Sequence, residues 1–158
     1  MNNILRKLQN LYLGSMPGWH YSFNDWLKAI NEMNIKKIVC LVSDQEIEAK
    51  SPEYAQWKKN NSEFDFYQFP IPDFGIPDKN IQHEFWELGE DISKLNQNGT
   101  PVFIHCAGGI GRTGMFASAV LMFGGISIEE AIKEVKKTGS GPETPVQASF
   151  LKNSYIKP

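Results

Sequence analysis

The stretch from Val102 to Gly114, VFIHCAGGIGRTG, decides how the rest of the chain is read. Val102, Phe103 and Ile104 form a short apolar run of β-branched and aromatic residues, the pattern of a buried strand. Cys106 falls where that strand ends. Gly108, Gly109 and Gly111 allow the backbone to curl tightly, so that N–H groups along Ala107, Gly108, Gly109, Ile110 and Gly111 converge on one centre. The apolar run from Met115 to Phe123 reads as the following helix, its N-terminus facing the same centre. Converging amides and a positive helix end favour a bound phosphate dianion. They equally favour a thiolate, since such settings lower a cysteine from about 8.5 to about 3.5–7.5. Arg112, six positions after Cys106, supplies a planar guanidinium that grips two phosphate oxygens at once and keeps its charge.

The same residues spell a rival motif, because Gly109 to Gly114 fits the dinucleotide fingerprint G-x-G-x-x-G. That fingerprint needs a second strand after the helix, ending about 20 residues on in an acidic residue that holds a ribose. Here Gly124-Gly125 breaks the chain. Ile128, Ala131, Ile132 and Val135 then recur at helical spacing, which puts Glu129, Glu130 and Glu134 on a helix and removes the ribose partner.

The 158 residues, 41% hydrophobic, suit one packed domain spanning 1–158. A formal charge of −2 gives no general pull toward nucleic acid or an anionic membrane, so any attraction for phosphate is local. Met115 to Phe123 is far shorter than a bilayer span, and the opening MNNILRKLQN has no signal-peptide core, so a cytoplasmic protein is expected. Cys40 and Cys106 are too few for a disulfide framework. With His20, His83 and His105 they show no zinc-type spacing, so neither a metal nor a cofactor is expected.

Around the central stretch the chain alternates. Leu11 to Leu13 reads as a first strand, and Ser22 with Asp25 resembles a helix cap before an apolar stripe of Phe23, Trp26, Leu27, Ile30 and Met33. Ile38 to Val42 reads as a strand buried on both faces. Ser51-Pro52 opens a helix, Phe64 to Phe69 reads as a strand, and the proline-rich Pro70 to Pro77 is a loop. Ile81, Phe85, Leu88, Ile92 and Leu95 predict a helix that Asn98-Gly99 ends, Ser127 with Glu130 opens another, and Thr144-Pro145 opens the last. The pattern predicts an α/β domain with a central, mostly parallel sheet and helices on both faces.

His105-Cys106, five further residues, then Arg112-Thr113, preceded by an apolar strand and opening a helix, resembles the signature of the cysteine-dependent protein tyrosine and dual-specificity phosphatases. Phe69 to Asp78, FPIPDFGIPD, is similar to the mobile acid loop of the small dual-specificity enzymes, with Asp73 lying 33 residues before the cysteine. Leu11 to Ser15, with Tyr-Leu-Gly-Ser inside it, resembles the family's opening strand, and Val146-Gln147 the segment whose glutamine positions water. The likeness runs over nearly the whole chain.

The resemblance implies a two-step hydrolysis of a phosphate ester. Cys106 would attack phosphorus while the loop amides and Arg112 stabilise the equatorial oxygens. Asp73 would protonate the leaving oxygen, with Ile71, Phe74 and Ile76 expected to desolvate its carboxyl, and would later take a proton from the attacking water. Thr113 would ease departure of the thiolate, His105 would orient the cup, and Phe74 would line the rim. Alternatives stand beside these roles. Asp78 is either a rival acid or a helix cap, and Thr113 also suits a helix-start cap. Gln147 is either a water-positioning residue or a solvent-facing residue of the last helix. Cys40 is either inert core or a partner for oxidised Cys106.

The loop carries no internal lysine or histidine, whereas members of the superfamily it resembles that act on polyphosphorylated lipids or inositols often place basic residues there; the resemblance therefore implies a singly phosphorylated substrate, a phosphotyrosine protein or peptide, with phosphoserine or phosphothreonine accepted as well. No nucleic acid partner is favoured, and a monomer is the default. An RNA 5′-phosphatase is the second enzyme reading, opposed by the acidic balance. A phosphopeptide-binding pseudophosphatase is the reading from another class, opposed by the presence of Cys106, Arg112 and Asp73 together.

Overall fold

The computed structural model describes residues 4–155; residues 1–3 and 156–158 of the expected domain lie outside the described residues. In chain order the strands are β1 (Arg6–Leu8), β2 (Leu11–Gly14), β3 (Lys37–Cys40), β4 (Asp65–Gln68) and β5 (Val102–His105). The helices are α1 (Phe23–Glu32), α2 (Asp44–Lys50), α3 (Pro52–Lys59), α4 (Gln82–Gln97), α5 (Gly111–Phe123), α6 (Ile128–Lys136) and α7 (Pro145–Ser154). The sheet runs β1-β2-β5-β3-β4 and is parallel except for β1, which pairs antiparallel with β2.

The all-apolar start of β5 dictates its central place. Val102, Phe103, Ile104 and His105 are all fully buried, which requires a neighbour on each edge and a helix layer on each face. Phe103 and His105 point to one face, where Trp26 of α1 lies 5.6 Å from the Phe103 ring and Tyr54 of α3 lies 5.3 Å from the His105 ring. On the other face Phe85 of α4 packs edge-on against Phe116 of α5 and Phe150 of α7. Helix α5 is buried from Gly111 to Met122, as a helix apolar all round must be. The expected α/β architecture is therefore present, with helices on both faces.

Strand ends differ from the sequence reading by one or two residues, and one helix start and two elements differ by more. Helix α5 begins at Gly111 rather than Met115, so Arg112 and Thr113 lie in its first turn. The edge strand β1 is unforeseen, because three residues of mixed polarity carry no alternation to detect. Helix α2 is unforeseen too, although Ser43 with Glu46 has capping spacing: Ser43 Oγ accepts from Glu46 N at 3.1 Å.

The carboxyl end of β5 opens between β2 and β3, the position where parallel sheets accept ligands. His105 pairs with Gly14 on one side and Cys40 on the other, and Cys106 is the next residue out. Gly109 (φ 76°) curls back beneath β2, and a Cβ there would lie 2.5 Å from the Gly14 carbonyl. No residue but glycine fits.

Candidate active site

The loop from Cys106 to Gly111 is wired from outside. The Cys106 carbonyl accepts from His105 Nδ1 at 2.8 Å, that of Ala107 from Met16 N at 2.8 Å, and that of Ile110 from Gly114 N at 2.8 Å and Gly141 N at 3.1 Å. A trans peptide carries its N–H opposite its C=O, so each carbonyl drawn outward turns the next residue's N–H to the inner side. Ala107, Gly108 and Gly111 present their N–H groups in this way, while Gly109 N–H donates to Cys106 Sγ at 3.2 Å. The one loop amide with a recorded partner, that of Gly109, is directed to sulfur.

Arg112 is 1% exposed, and one edge of its guanidinium is already taken. Nη1 and Nη2 each donate to Glu46 at 3.0 Å, Nη1 also donates to the Ile71 carbonyl at 2.9 Å, and Nη2 lies 3.3 Å from Asp73 Oδ1. Nε is buried without a protein partner, so the Nε–Nη2 edge, shared at Nη2 only with the half-exposed Asp73, is the one left to meet oxyanion oxygens. Burial works against the Arg112 charge, but Glu46, Cys106 and Asp73 outweigh it and move its pKa up. Glu46 is in turn held below the usual carboxylate range by Arg112, against its own desolvation and with help from Lys50 at 2.9 Å. Glu46 was not singled out in the sequence; the Ser43 cap was the signal that would have placed it on a helix beside the strand end.

Asp73 reaches the site, but the expected apolar enclosure does not form. Ile71 turns into the core, Phe74 is 56% exposed, and the Asp73 side chain is itself 52% exposed against Arg112. Phe74 adopts φ 60°, a left-handed conformation costing a bulky residue roughly 1–2 kcal/mol. The loop is latched around it: Thr144 Oγ1 donates to the Phe74 carbonyl at 3.2 Å and Gln147 Nε2 to the Gly75 carbonyl at 3.0 Å. Asp78 lies at the far end of the loop, where Oδ1 accepts from Asn80 N at 3.0 Å, the capping alternative.

Gln147 corrects the solvent-facing alternative, because it is fully buried: its Oε1 accepts from Glu143 N at 2.8 Å while its Nε2 holds Gly75. Thr113 Oγ1 is buried with no protein partner, so it does not cap the helix. Cys40 lies inside the core with its thiol pushed up to about 12, chiefly by burial, and is a neutral thiol at pH 7.

His105 is held between two partners fixed by its tautomer. A carbonyl only accepts, so Nδ1 carries the proton donated to Cys106 O. Burial pushes the ring down to about 4, leaving it neutral at pH 7, and Nε2 then accepts from Tyr54 Oη at 2.8 Å. Tyr54, unforeseen in the sequence, is completely buried; burial raises its hydroxyl well above its ordinary value and keeps it a donor. One consequence is testable. The unfolded chain takes up a proton near pH 6.5 that folded His105 refuses until about pH 4, so stability is full above 6.5 and declines as pH falls toward 4. The loss is on the order of 3 kcal/mol, and protonation of Glu46 adds to it at the acidic end. Urea midpoints should fall between pH 6.5 and 4.5 in wild type and less steeply in His105→Gln; a flat wild-type profile would contradict a buried neutral imidazole.

The class that fold and site together define is that of the cysteine-dependent phosphatases: a thiol at the end of a central parallel strand, a glycine-rich loop, and an arginine in the first turn of the next helix. Residues 12–152 match the family described as dual specificity phosphatase, catalytic domain, and the chain belongs to that family. It is 35% identical over 89 residues to Cyclin-dependent kinase inhibitor 3 of Rattus norvegicus, a match covering 54% of this chain and 41% of that protein. The chain therefore spans well under half of that relative. Among solved structures it resembles Tk-PTP in the active form, at TM-score 0.72 and 27% identity over 96% of both chains. It also shares the fold of kinase associated phosphatase, at TM-score 0.74 and 21% identity over 89% of this chain and 83% of that one.

Proposed function

We propose that the chain, acting as one catalytic unit over residues 1–158, hydrolyses phosphate monoesters of proteins or peptides through a phosphocysteine intermediate. Phosphotyrosine is the principal substrate, with phosphoserine and phosphothreonine accepted. The observation that carries this reading is the pair of buried polar atoms without protein partners in the first turn of α5, Arg112 Nε and Thr113 Oγ1, at the end of a loop whose Cys106, Ala107 and Ile110 carbonyls are bound from outside. Among the described residues the indole Nε1 atoms of Trp26 and Trp86 also lack partners, but they stand singly in the aromatic core, whereas Arg112 and Thr113 are adjacent in the first turn of α5, where a tetrahedral oxyanion meets Nε.

In the first step the Cys106 thiolate attacks phosphorus, the P–O bond to the leaving group breaks, and Asp73 delivers its proton to the departing oxygen. Loop amides and the free edge of Arg112 hold the equatorial oxygens. In the second step water attacks phosphorus, its proton passes to the Asp73 carboxylate, and the S–P bond breaks with Thr113 Oγ1 donating to the sulfur. Asp73 stands 3.3 Å from Arg112, which supports it over Asp78. The exposed side chains of Phe74 and Ile110 (43% exposed) offer an aryl ring apolar contact, which supports phosphotyrosine over a charged polyphosphate.

Among the described residues no helix is long and apolar enough to cross a membrane. A cytoplasmic location, and a monomer, belong to the proposal and rest on the sequence. The test is a panel of phosphotyrosine peptide, phosphoserine peptide and 5′-triphosphorylated RNA: release from the peptides alone supports the reading, and release from the RNA alone overturns it. Asp73→Asn should slow phenyl phosphate by roughly 10²-fold and p-nitrophenyl phosphate far less at the thiol-phosphorylation step, because an acid matters most for a poor leaving group. Asp78→Asn should leave both within about twofold. A leaving-group dependence steepened by Asp78→Asn and not by Asp73→Asn, measured in pre-steady-state bursts, would move the acid to Asp78.

A further inference from the structure

Gly109 is held at both ends. Its N–H donates to Cys106 Sγ, and its carbonyl accepts from Arg6 Nη2 at 2.6 Å and from Ser140 Oγ at 2.6 Å. Arg6 stands on the edge strand β1, 103 residues away in sequence, and Ser140 in the turn between α6 and α7. Arg6 Nη1 closes the triangle by donating to Ser140 Oγ at 2.9 Å and to the Thr138 carbonyl at 3.0 Å. With the Gly109 carbonyl drawn outward by two donors, Ile110 N–H is turned toward the inner side of the loop. Among the described residues this is the one loop carbonyl bound by a charged side chain; His105 is neutral, and the remaining donors are backbone amides.

The charge balance separates the two arginines. Arg112 is matched by Glu46 on two bonds and by Asp73, with Lys50 on Glu46. Arg6 has only neutral oxygens as hydrogen-bond partners, and no carboxylate lies within ion-pair distance among the described residues. The Tyr21 hydroxyl nearby is raised out of its usual range by burial and donates to the Ser15 carbonyl at 2.7 Å, so it stays neutral. Glu143, on the α7 side, is exposed beside Gly111. A half-buried cation without an anionic partner is costly unless an anion forms beside it.

We propose that Arg6 is a positioning residue of the phosphate cup: with Ser140 it fixes the Gly109–Ile110 peptide, and it supplies the uncompensated positive charge behind the Cys106 sulfur. Burial draws the Arg6 pKa down while Cys106, and to a lesser degree Tyr21, draws it up, consistent with the sulfur and the guanidinium sensing one another. The turnover consequence rests on the phosphatase reading; the effects on the thiol and on oxyanion binding do not.

The experiment compares wild type with Arg6→Met, Arg6→Lys and Ser140→Ala in three measurements: the pH profile of Cys106 alkylation by iodoacetamide, the Kd for tungstate, and turnover of p-nitrophenyl phosphate. Arg6→Met should raise the midpoint of the alkylation profile by about one pH unit. It should also weaken tungstate about tenfold and lower kcat roughly 10–100-fold. Arg6→Lys should restore the alkylation midpoint, since charge is kept, but not the tungstate affinity, since one ammonium does not span Gly109, Thr138 and Ser140. Ser140→Ala should weaken tungstate several-fold at an unchanged alkylation midpoint. A purely structural brace would lower thermal stability and leave the alkylation midpoint of the folded protein alone, and that result in Arg6→Met overturns the proposal. If Arg6→Met does not fold, wild-type tungstate affinity in both Arg6→Lys and Ser140→Ala overturns it instead. A wild type that turns over no phosphate ester but shows these shifts would defeat the phosphatase reading and leave the role of Arg6 standing.

Discussion

Cys106→Ser should lower turnover of p-nitrophenyl phosphate by roughly 10⁴-fold or more while tungstate still binds within about tenfold of wild type. The two effects part because two sets of atoms are involved. The sulfur is the nucleophile, and a serine hydroxyl at that place has no base to activate it at the attack step: Asp73 then carries the proton for the leaving group, and His105, though neutral, has both ring nitrogens occupied, by Cys106 O and Tyr54 Oη. The anion site, in contrast, is made of backbone amides turned inward by outward-held carbonyls and of the free edge of Arg112, none of which the substitution touches. Phosphate release and tungstate titration on the same two proteins provide the measurement. Equal turnover in both proteins would remove Cys106 from the mechanism. Loss of tungstate binding together with turnover would mean that the sulfur is required to shape the loop, through the Gly109 N–H it accepts.

Arg112→Lys should cost about 10³-fold in kcat even though the charge is kept. The guanidinium meets three demands simultaneously: a two-bond contact with Glu46, a bond to the Ile71 carbonyl at the root of the acid loop, and a free edge for substrate. An ammonium on a flexible stem directs its protons to Glu46, the nearest charge, and leaves Ile71 or the substrate unserved. Because Ile71 stands two residues before Asp73, the variant should also show a steeper leaving-group dependence, as the acid loop loses its tie to residue 112. Glu46→Gln should give a milder loss with an intact profile, since the amide still accepts one of the two bonds. Near-wild-type kcat in Arg112→Lys would place this arginine outside the phosphate site.

The outline of the fold was legible because its signals are local. An apolar run ending in cysteine, a glycine turn and a hydrophobic helix define β5, the loop and α5 in one stretch from Val102 to Phe123, helical spacing identified α1, α4 and α6, and proline starts identified α3 and α7. The cysteine and arginine were legible for the same reason, their separation being set by one turn of backbone. Elements whose stability comes from distant partners were not. β1 is three residues long and exists because β2 pairs with it, and α2 is a seven-residue helix held by its cap and by the buried Ile47.

The contacts that tune the site are likewise long-range. Glu46 meets Arg112 across 66 residues, Tyr54 meets His105 across 51, and Arg6 meets Gly109 across 103. No periodicity or spacing encodes such pairs, because a side chain's partner is set by where the sheet order and the helix crossings deliver it. The expectation that Ile71, Phe74 and Ile76 would enclose Asp73 failed on the same ground: sequence neighbours alternate between core and solvent as the loop turns, and Ile71 went inward while Phe74 went out. The sequence by itself determined the α/β class, the thiol, the loop and the arginine, all products of local backbone geometry. Only the tertiary structure decided which edge of that arginine is free, which carboxylate stands beside it, and which second cation lies behind the sulfur, since each depends on charges brought together from opposite ends of the chain.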